Sequence, residues 1–354
     1  MAAAVEARGT VLPYRAPAHA SVNQGAAIAA VPVAVPDTVV ELNPECPACG
    51  DAHPRVLFEA TDRLYHTTRK RFQIIECKAC RLMRLEPRPA GKELAGYYPD
   101  RYWFSPEGTA GRMEEAYRRF VLRDHVAFLR QALANSDGSG YVVDVGCGNG
   151  LLLSLLPWRK ILGLDTSRKA LSVAWKQNGV PAVCADLSSA PLPRGSCSVI
   201  TMFHVIEHLA EPVRYLEAAL ELLTPGGRLV VQVPNASCWQ FILFGENWNG
   251  IDVPRHLINY RQRDIEKLLN FCGFEVTRRK HFSLRDNPAG LATSLAPSLD
   301  PMARRLRQVT ETPRQRLFKD LVYMSLVLAS IPFTLVEAAC RAGSTIMVEA
   351  RKKS

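Results

Sequence analysis

Three groups of residues in this 354-residue chain have types and spacings that can do chemistry. The first is a pair of C-x-x-C motifs, Cys46-Pro-Ala-Cys49-Gly50 and Cys77-Lys-Ala-Cys80, with 27 residues between Cys49 and Cys77. Each motif sets two thiolates on a tight turn. Two such turns on neighbouring hairpins supply four sulfurs at tetrahedral corners, a set that suits Zn²⁺. A closed four-thiolate shell leaves no open position for catalysis. The expected role is therefore structural zinc, contributing folding energy to a module too small to make a core alone. Neither pair opens a helix after a strand, which argues against a thioredoxin-like redox role.

The second group is Val142-Val143-Asp144-Val145-Gly146-Cys147-Gly148-Asn149-Gly150, an apolar strand running into a glycine-rich turn and then a run of leucines. Glycines let a backbone approach a ligand closely. Asp165 ends the next apolar segment, where a carboxylate can accept both hydroxyls of a ribose. Asp186 and Leu187 end a third, placed to receive an adenine. A dinucleotide dehydrogenase would show G-x-G-x-x-G, and here the third glycine comes one residue too early. The third group is His204-Val-Ile-Glu207-His208, together with His256 in the loop Asp252–His256. H-x-x-E-H is also a metalloprotease spacing. A protease would not explain the nucleoside-type loop upstream.

The elements that must position these residues alternate short apolar strands with helical stretches, the pattern of a parallel α/β sheet. Strands are expected at Tyr141–Val145, Ile161–Asp165, Ala182–Ala185, Ser198–Phe203, Arg228–Val233, Phe274–Arg279 and Ser344–Ala350. A single helix is expected from Met113 to Ala134, and Thr224-Pro225-Gly226-Gly227 reads as a helix stop and turn. The chain divides into an Ala/Pro-rich, disordered leader (1–40), a zinc-ribbon-like module (41–90), an aromatic turn with a helical cover (91–140), a ligand-binding α/β domain (141–284), a basic and apolar insert (285–343) and a last strand with its tail (344–354). A signal peptide is missing from the N-terminal stretch, and six of the ten cysteines stand singly in apolar segments, so a reducing cytoplasm is the expected compartment.

With these motifs in place, D-V-G-C-G-N-G, Asp165, A-D-L, the Val199–His208 segment and T-P-G-G-R-L together resemble the class I S-adenosylmethionine-dependent methyltransferases. The resemblance spans residues 141–283 and the last strand. It implies a Rossmann-like, seven-stranded, mostly parallel sheet whose final strand is antiparallel. It also implies that Asp144, Gly146, Cys147, Gly148 and Gly150 shape the methionine pocket, that Asp165 holds the ribose, and that Asp186 and Leu187 frame the adenine. The zinc-ribbon-like start, the Tyr-rich turn and Trp248–Leu257 resemble a bacterial subgroup acting on sugars, nucleotide- or lipid-linked glycans, or secondary metabolites. By that likeness Tyr98 and Tyr102 close over the cofactor; ordinary packing between domains is the alternative.

Methyl transfer needs an aligned acceptor and a base for its proton, but no acid. His256 is the favoured base or substrate contact, with His204, Glu207 and His208 as further catalytic candidates. Small-RNA 2′-O-methyltransferases and some ubiquinone-pathway O-methyltransferases look similar here, with E-x-x-E-H binding a divalent metal. A second metal at His204, Glu207, His208 and His256 is therefore one reading; loop-capping by Glu207 and His208 is the other.

The formal charge of +10 is concentrated late in the chain. Of the 44 Lys+Arg and 34 Asp+Glu, 18 and 9 lie from Arg255 onward, which leaves the first 254 residues nearly neutral. Residues 304–319 are basic, and Leu321–Val336 carry no charge, with Pro332 expected to kink a helix. Sixteen uncharged residues fall short of the roughly 20 that a membrane span requires. Residues 304–340 read as a buried helical hairpin, a homodimer interface, or an element docked on an anionic membrane surface. The chain is thus expected to be a methyltransferase of a small-molecule or glycan acceptor, with nucleic acid a less favoured partner. An RNA methyltransferase and a non-catalytic zinc-dependent adaptor are the rival readings.

Overall fold

A computed structural model of the protein describes residues 45–89, 91–99 and 108–353. The leader expected over 1–40 and Tyr102 lie outside the described residues. Two sheets organise the rest. The larger has seven strands in the order β10-β11-β8-β7-β4-β5-β6. These are β4 (Tyr141–Val145), β5 (Ile161–Asp165), β6 (Ala182–Cys184), β7 (Cys197–Phe203), β8 (Leu223–Pro234), β10 (Phe274–Lys280) and β11 (Thr345–Lys352). β4 to β8 pair in parallel, while β11 runs antiparallel to both of its neighbours, β8 and β10. The fold is therefore the mixed α/β, Rossmann-like one expected.

Both faces of a parallel sheet must be covered, and its strands read accordingly as unbroken apolar runs. Val142, Val199 and Val230 pack with leucines of α3 (Arg123–Ala134) and α4 (Leu151–Ser154) on one face. Val143, Ile200 and Val231 join a larger cluster on the other. That cluster takes in α6 (Pro212–Leu222) and α8 (Gln262–Phe271). α5 (Arg168–Asn178) starts at an N-cap Ser167 and stops at Gly179 in the left-handed region.

The smaller sheet, β1-β2-β3-β9, is built from β1 (Pro54–Ala60), β2 (Phe72–Cys77), β3 (Met83–Glu86) and β9 (Ile258–Asn259). Here the sequence boundaries differ from the fold. β9 comes from the loop after β8, and Phe72, Ile74, Met83 and Leu85 share one core cluster with the large sheet. The N-terminal module and the loop that follows β8 are one packing unit. α1 (Gly91–Gly96) leads from it toward the second sheet.

Three other expectations are corrected. The helix expected from Met113 is two, α2 (Gly108–Val121) and α3, divided at Leu122. β8 begins at Leu223, immediately after α6, so the Thr224–Gly227 turn lies inside a strand. The insert is not a buried hairpin. After α7 (Trp239–Phe244), α9 (Asn287–Leu295) and α10 (Pro301–Leu306) it forms one 27-residue helix, α11 (Pro313–Ala339), that continues through Pro332. Thr312 and Gln315 close a capping box at its start, with Pro313 in the first turn, where a missing N–H costs nothing.

Candidate functional site

The four paired cysteines converge. Cys46 and Cys49 precede β1, Cys77 ends β2, and Cys80 sits in the turn to β3. Cys46 Sγ is 3.5 Å from Cys80 Sγ and Cys49 Sγ is 3.5 Å from Cys77 Sγ, with all four sulfurs within 4.8 Å of one another. Tetrahedral zinc with bonds near 2.3 Å requires sulfurs about 3.8 Å apart, so the donor set fits that metal.

The glycine loop follows β4, where the chain's path turns from one half of the sheet to the other. Ligands bind at this kind of switch point in open α/β sheets. Gly146 has φ +68°, and a Cβ there would stand 2.7 Å from Val205 Cγ2. Only glycine satisfies both the backbone and the close approach. Asp165 closes the loop: one carboxylate oxygen accepts from Gly148 N at 2.9 Å and the other from Ser167 N at 2.7 Å. Asp144 is buried and accepts from Thr201 Oγ1 at 2.5 Å. Burial, reinforced by Asp165, pushes its carboxyl up to about 7. The Cys147 thiol turns inward under Gly163, leaving only its backbone to the loop. Asp186 caps the short turn Leu187–Ser189 by accepting from Ser189 N, and Leu187 is buried.

Glu207, His208 and His256 form the third cluster, with one ligand atom from each lying within 4.8 Å of the others. His256 Nδ1 donates to Gly250 O at 2.8 Å, and His208 Nδ1 donates to Arg255 O at 3.0 Å. The bond to Gly250 O sets the His256 tautomer, with Nε2 as the ring's acceptor 3.9 Å from Asp252 Oδ2, whereas His208 Nδ1 is shared between Arg255 O and the Tyr98 hydroxyl. Glu207 is 1% exposed; its Oε1 pairs with His204 Nδ1 at 3.1 Å, and its Oε2 has no hydrogen-bond partner among the described residues. Burial and the neighbouring His256 push His208 down to about 4, so it is neutral near pH 7. Tyr98 brings its hydroxyl to 2.9 Å from His208 Nδ1.

His204 stands outside this trio, unlike the four-residue set expected. Its backbone is in the left-handed region, φ 55°, and its ring lies between Glu207 and Asp286, with Gln232 2.8 Å from Nε2. Burial alone would lower its pKa, but the two carboxylates outweigh that and raise it to about 9. Asp286 and Gln232 were not anticipated; the only trace of Asp286 in the sequence is an acid just before an Asn-Pro helix start. Also unanticipated is Arg255, which is fully buried. It is paired with Asp62 of the N-terminal module at 3.1 Å and with Asp252 at 2.6 Å, and it lies 4.4 Å from the Tyr65 ring centroid.

Comparison with known proteins agrees with this geometry. Residues 113–279 match the family described as Methyltransferase domain. A probable S-adenosylmethionine-dependent methyltransferase of Mycolicibacterium smegmatis is 28% identical over 193 residues, 54% of this chain and 66% of that one. The ubiquinone biosynthesis O-methyltransferase of Ralstonia nicotianae is 30% identical over 129 residues, 34% of this chain and 54% of that one. The chain therefore spans between half and two thirds of these relatives' lengths. A solved methyltransferase from Archaeoglobus fulgidus aligns with TM-score 0.42 and 16% identity, covering 69% of this chain and all of that one. Residues 113–279, just under half of the chain, thus match a methyltransferase domain, and the strand order and glycine loop are those expected of the class I S-adenosylmethionine-dependent kind.

Proposed function

We propose that the chain methylates a hydroxyl of a small polyhydroxylated acceptor: a sugar, a nucleotide- or lipid-linked glycan, or a secondary metabolite. The carrying observation is a glycine loop closed on Asp165 at the same sheet edge as a buried trio with unshared lone pairs. In this reading Asp144, Gly146, Gly148, Gly150 and the Cys147 backbone hold the methionine end of S-adenosylmethionine. Asp165 takes the ribose hydroxyls, and Asp186 with Leu187 frames the adenine. Bound there, the sulfonium supplies an electrophilic methyl group whose leaving thioether needs no acid.

The chain's remaining task is to align the acceptor oxygen and take its proton. His256 Nε2 can accept it, with Gly250 O stabilising the imidazolium through Nδ1–H. Glu207 Oε2, which has no hydrogen-bond partner among the described residues, lies beside two imidazoles and also fits a divalent cation, which would acidify the acceptor hydroxyl. A hydroxyl acceptor agrees with the name of the Ralstonia relative, an O-methyltransferase. Metal dependence separates the two forms. Glu207→Gln is expected to lower kcat about 100-fold with the affinity for S-adenosylmethionine unchanged, and to abolish Mn²⁺ binding seen by electron paramagnetic resonance. If protein that binds no Mn²⁺ at the trio turns over at a rate that added divalent cations do not change, while His256→Ala lowers kcat, the trio acts as a base alone.

Calorimetry tests the cofactor reading. S-adenosylmethionine should bind, and Asp165→Ala should weaken it about 30-fold, the loss of about 2 kcal/mol of charge-assisted hydrogen bonding. Asp144, held up to about 7 by burial, is largely protonated in the free protein at pH 6. The methionine ammonium favours its ionised form, so binding should expel a proton there and tighten as pH rises through about 7. Buffers of different ionisation enthalpy would reveal that proton. Failure to bind S-adenosylmethionine at any pH removes the catalytic reading.

A further inference from the structure

The helix α11 is inside out. Its inward stripe, Tyr323, Val327, Ser330, Thr334 and Glu337, recurs at helical spacing and is mostly polar. Each polar member is satisfied: Tyr323 Oη meets Thr293 Oγ1 at 2.8 Å, and Glu337 accepts from Gln240 N at 3.0 Å and from Gln240 Nε2 at 2.9 Å. Ser330 and Thr334 donate back to Leu326 O and Ile331 O. The outward stripe is apolar. Leu317, Phe318, Leu321, Leu328, Leu335 and Val336 are 49–68% exposed, at spacings that keep them on one side of the helix. α7 abuts the same helix through Trp239 on Phe333 and exposes Ile242 and Leu243. A helix facing water would carry these two stripes the other way round. An outward apolar stripe from Leu317 to Val336, about 30 Å long, requires an apolar partner.

The charges choose between partners. Arg314 heads the apolar stripe and Arg341 follows the helix's end, while Arg316 and Lys319, on the opposite side of the first turns, face Asp320 at 3.9 Å and Glu311 at 2.7 Å. Its two acids are already engaged, Asp320 with Arg304 and Glu337 with Gln240. Pairing with a second copy, parallel or antiparallel, would bring cations against cations. An anionic surface over an apolar interior meets both features at once. A crossing of the membrane does not fit. Arg307 ties the segment before the helix to Arg63 O and Leu64 O of the N-terminal module, and β11 begins in the large sheet six residues after Ala339. Both ends thus belong to the same folded body.

The geometry points to α11 as a surface anchor that lies in the plane of an anionic lipid leaflet, its apolar stripe in the acyl boundary and its arginines at the headgroups. The inference does not depend on the methyl-transfer reading. It is tested with the full chain by sedimentation with phosphatidylcholine vesicles and with vesicles containing about one quarter phosphatidylglycerol, at low and high salt. Binding to the anionic vesicles, weakened by salt, is expected. Leu321→Glu with Leu328→Glu should reduce it about tenfold or more. Both side chains face solvent, so the variant should keep the parent's circular dichroism and melting temperature. Light scattering on the same samples reads the oligomeric state. No binding to anionic vesicles, binding that the two substitutions leave unchanged, or a dimer in solution that they dissociate would each overturn the proposal.

Discussion

If the four cysteines hold zinc, removing it is expected to cost the chain its N-terminal sheet and the order of the histidine trio, while β4 to β8 remain folded. Structural zinc contributes on the order of 10 kcal/mol in small modules, far more than any single side chain here. The four sulfurs join the segment before β1 to the end of β2 and the turn into β3. Without a cation they are four crowded thiols, and the hydrogen bond from Cys80 outweighs burial to bring the Cys46 thiol down to about 5. β3 in turn holds β9, and Leu85 N donates to Leu257 O at 3.0 Å, beside His256. The apolar residues of β2 and β3 share the main core, which offsets part of the loss. A fall in melting temperature of about 10 °C or more is therefore expected on chelation. Hydrogen exchange should speed up in β1, β2, β3 and β9 and stay slow in β4 and β7. Cys49→Ser should reproduce the effect. Protein purified without one zinc per chain, or a melting curve that chelation leaves unmoved, would sink the zinc reading.

What the sequence makes legible is whatever is written locally. The parallel strands of the large sheet are short, largely apolar runs, β10 and β11 mix apolar with charged residues, and each strand lies within a few residues of its expected place except β8, which starts earlier. The C-x-x-C pairs and the glycine loop are equally local, since their spacing states the turn that they make. Leu122 hid the break between α2 and α3 because an apolar residue there continues the helical period. α11 misled for a related reason: an uncharged run reads as buried, and only neighbours such as Thr293 and Gln240 reveal which stripe faces inward. The histidines were legible as candidates but their partners were not. Asp286 meets His204 from 82 residues away in sequence, and Asp62 meets Arg255 from 193. Pairings over such distances are properties of topology.

Arg255→Met is expected to destabilise the chain by about 3–5 kcal/mol at pH 7, the usual consequence of removing one member of a buried ion pair. Arg255 and Asp62 have no exposed side-chain surface, and Asp252 has 12%. Methionine matches the arginine stem in length and leaves two carboxylates facing an apolar sulfur. Asp62 would retain the N–H groups of Tyr65 and Thr67, at 3.0 and 2.7 Å, which moderates the loss without removing it. Arg255→Lys should recover only part of the stability, because an ammonium cannot serve Asp62 and Asp252 through one planar fork. The pH dependence follows from the carboxylates. Burial alone would raise both, but Arg255 outweighs it and holds them below the ordinary carboxylate range. Their stabilising contribution is thus complete above about 3.8 and lost as pH falls through the depressed values. Urea unfolding of parent and variant should differ fully at pH 7 and converge in acid. A loss of less than 1 kcal/mol at pH 7 would show that this clamp is not what holds the loop. The same substitution should also lower kcat, because the carbonyl of Arg255 accepts from His208 Nδ1 while its side chain is seated in the zinc module. Through that one residue the N-terminal module is joined to the Glu207, His208 and His256 cluster.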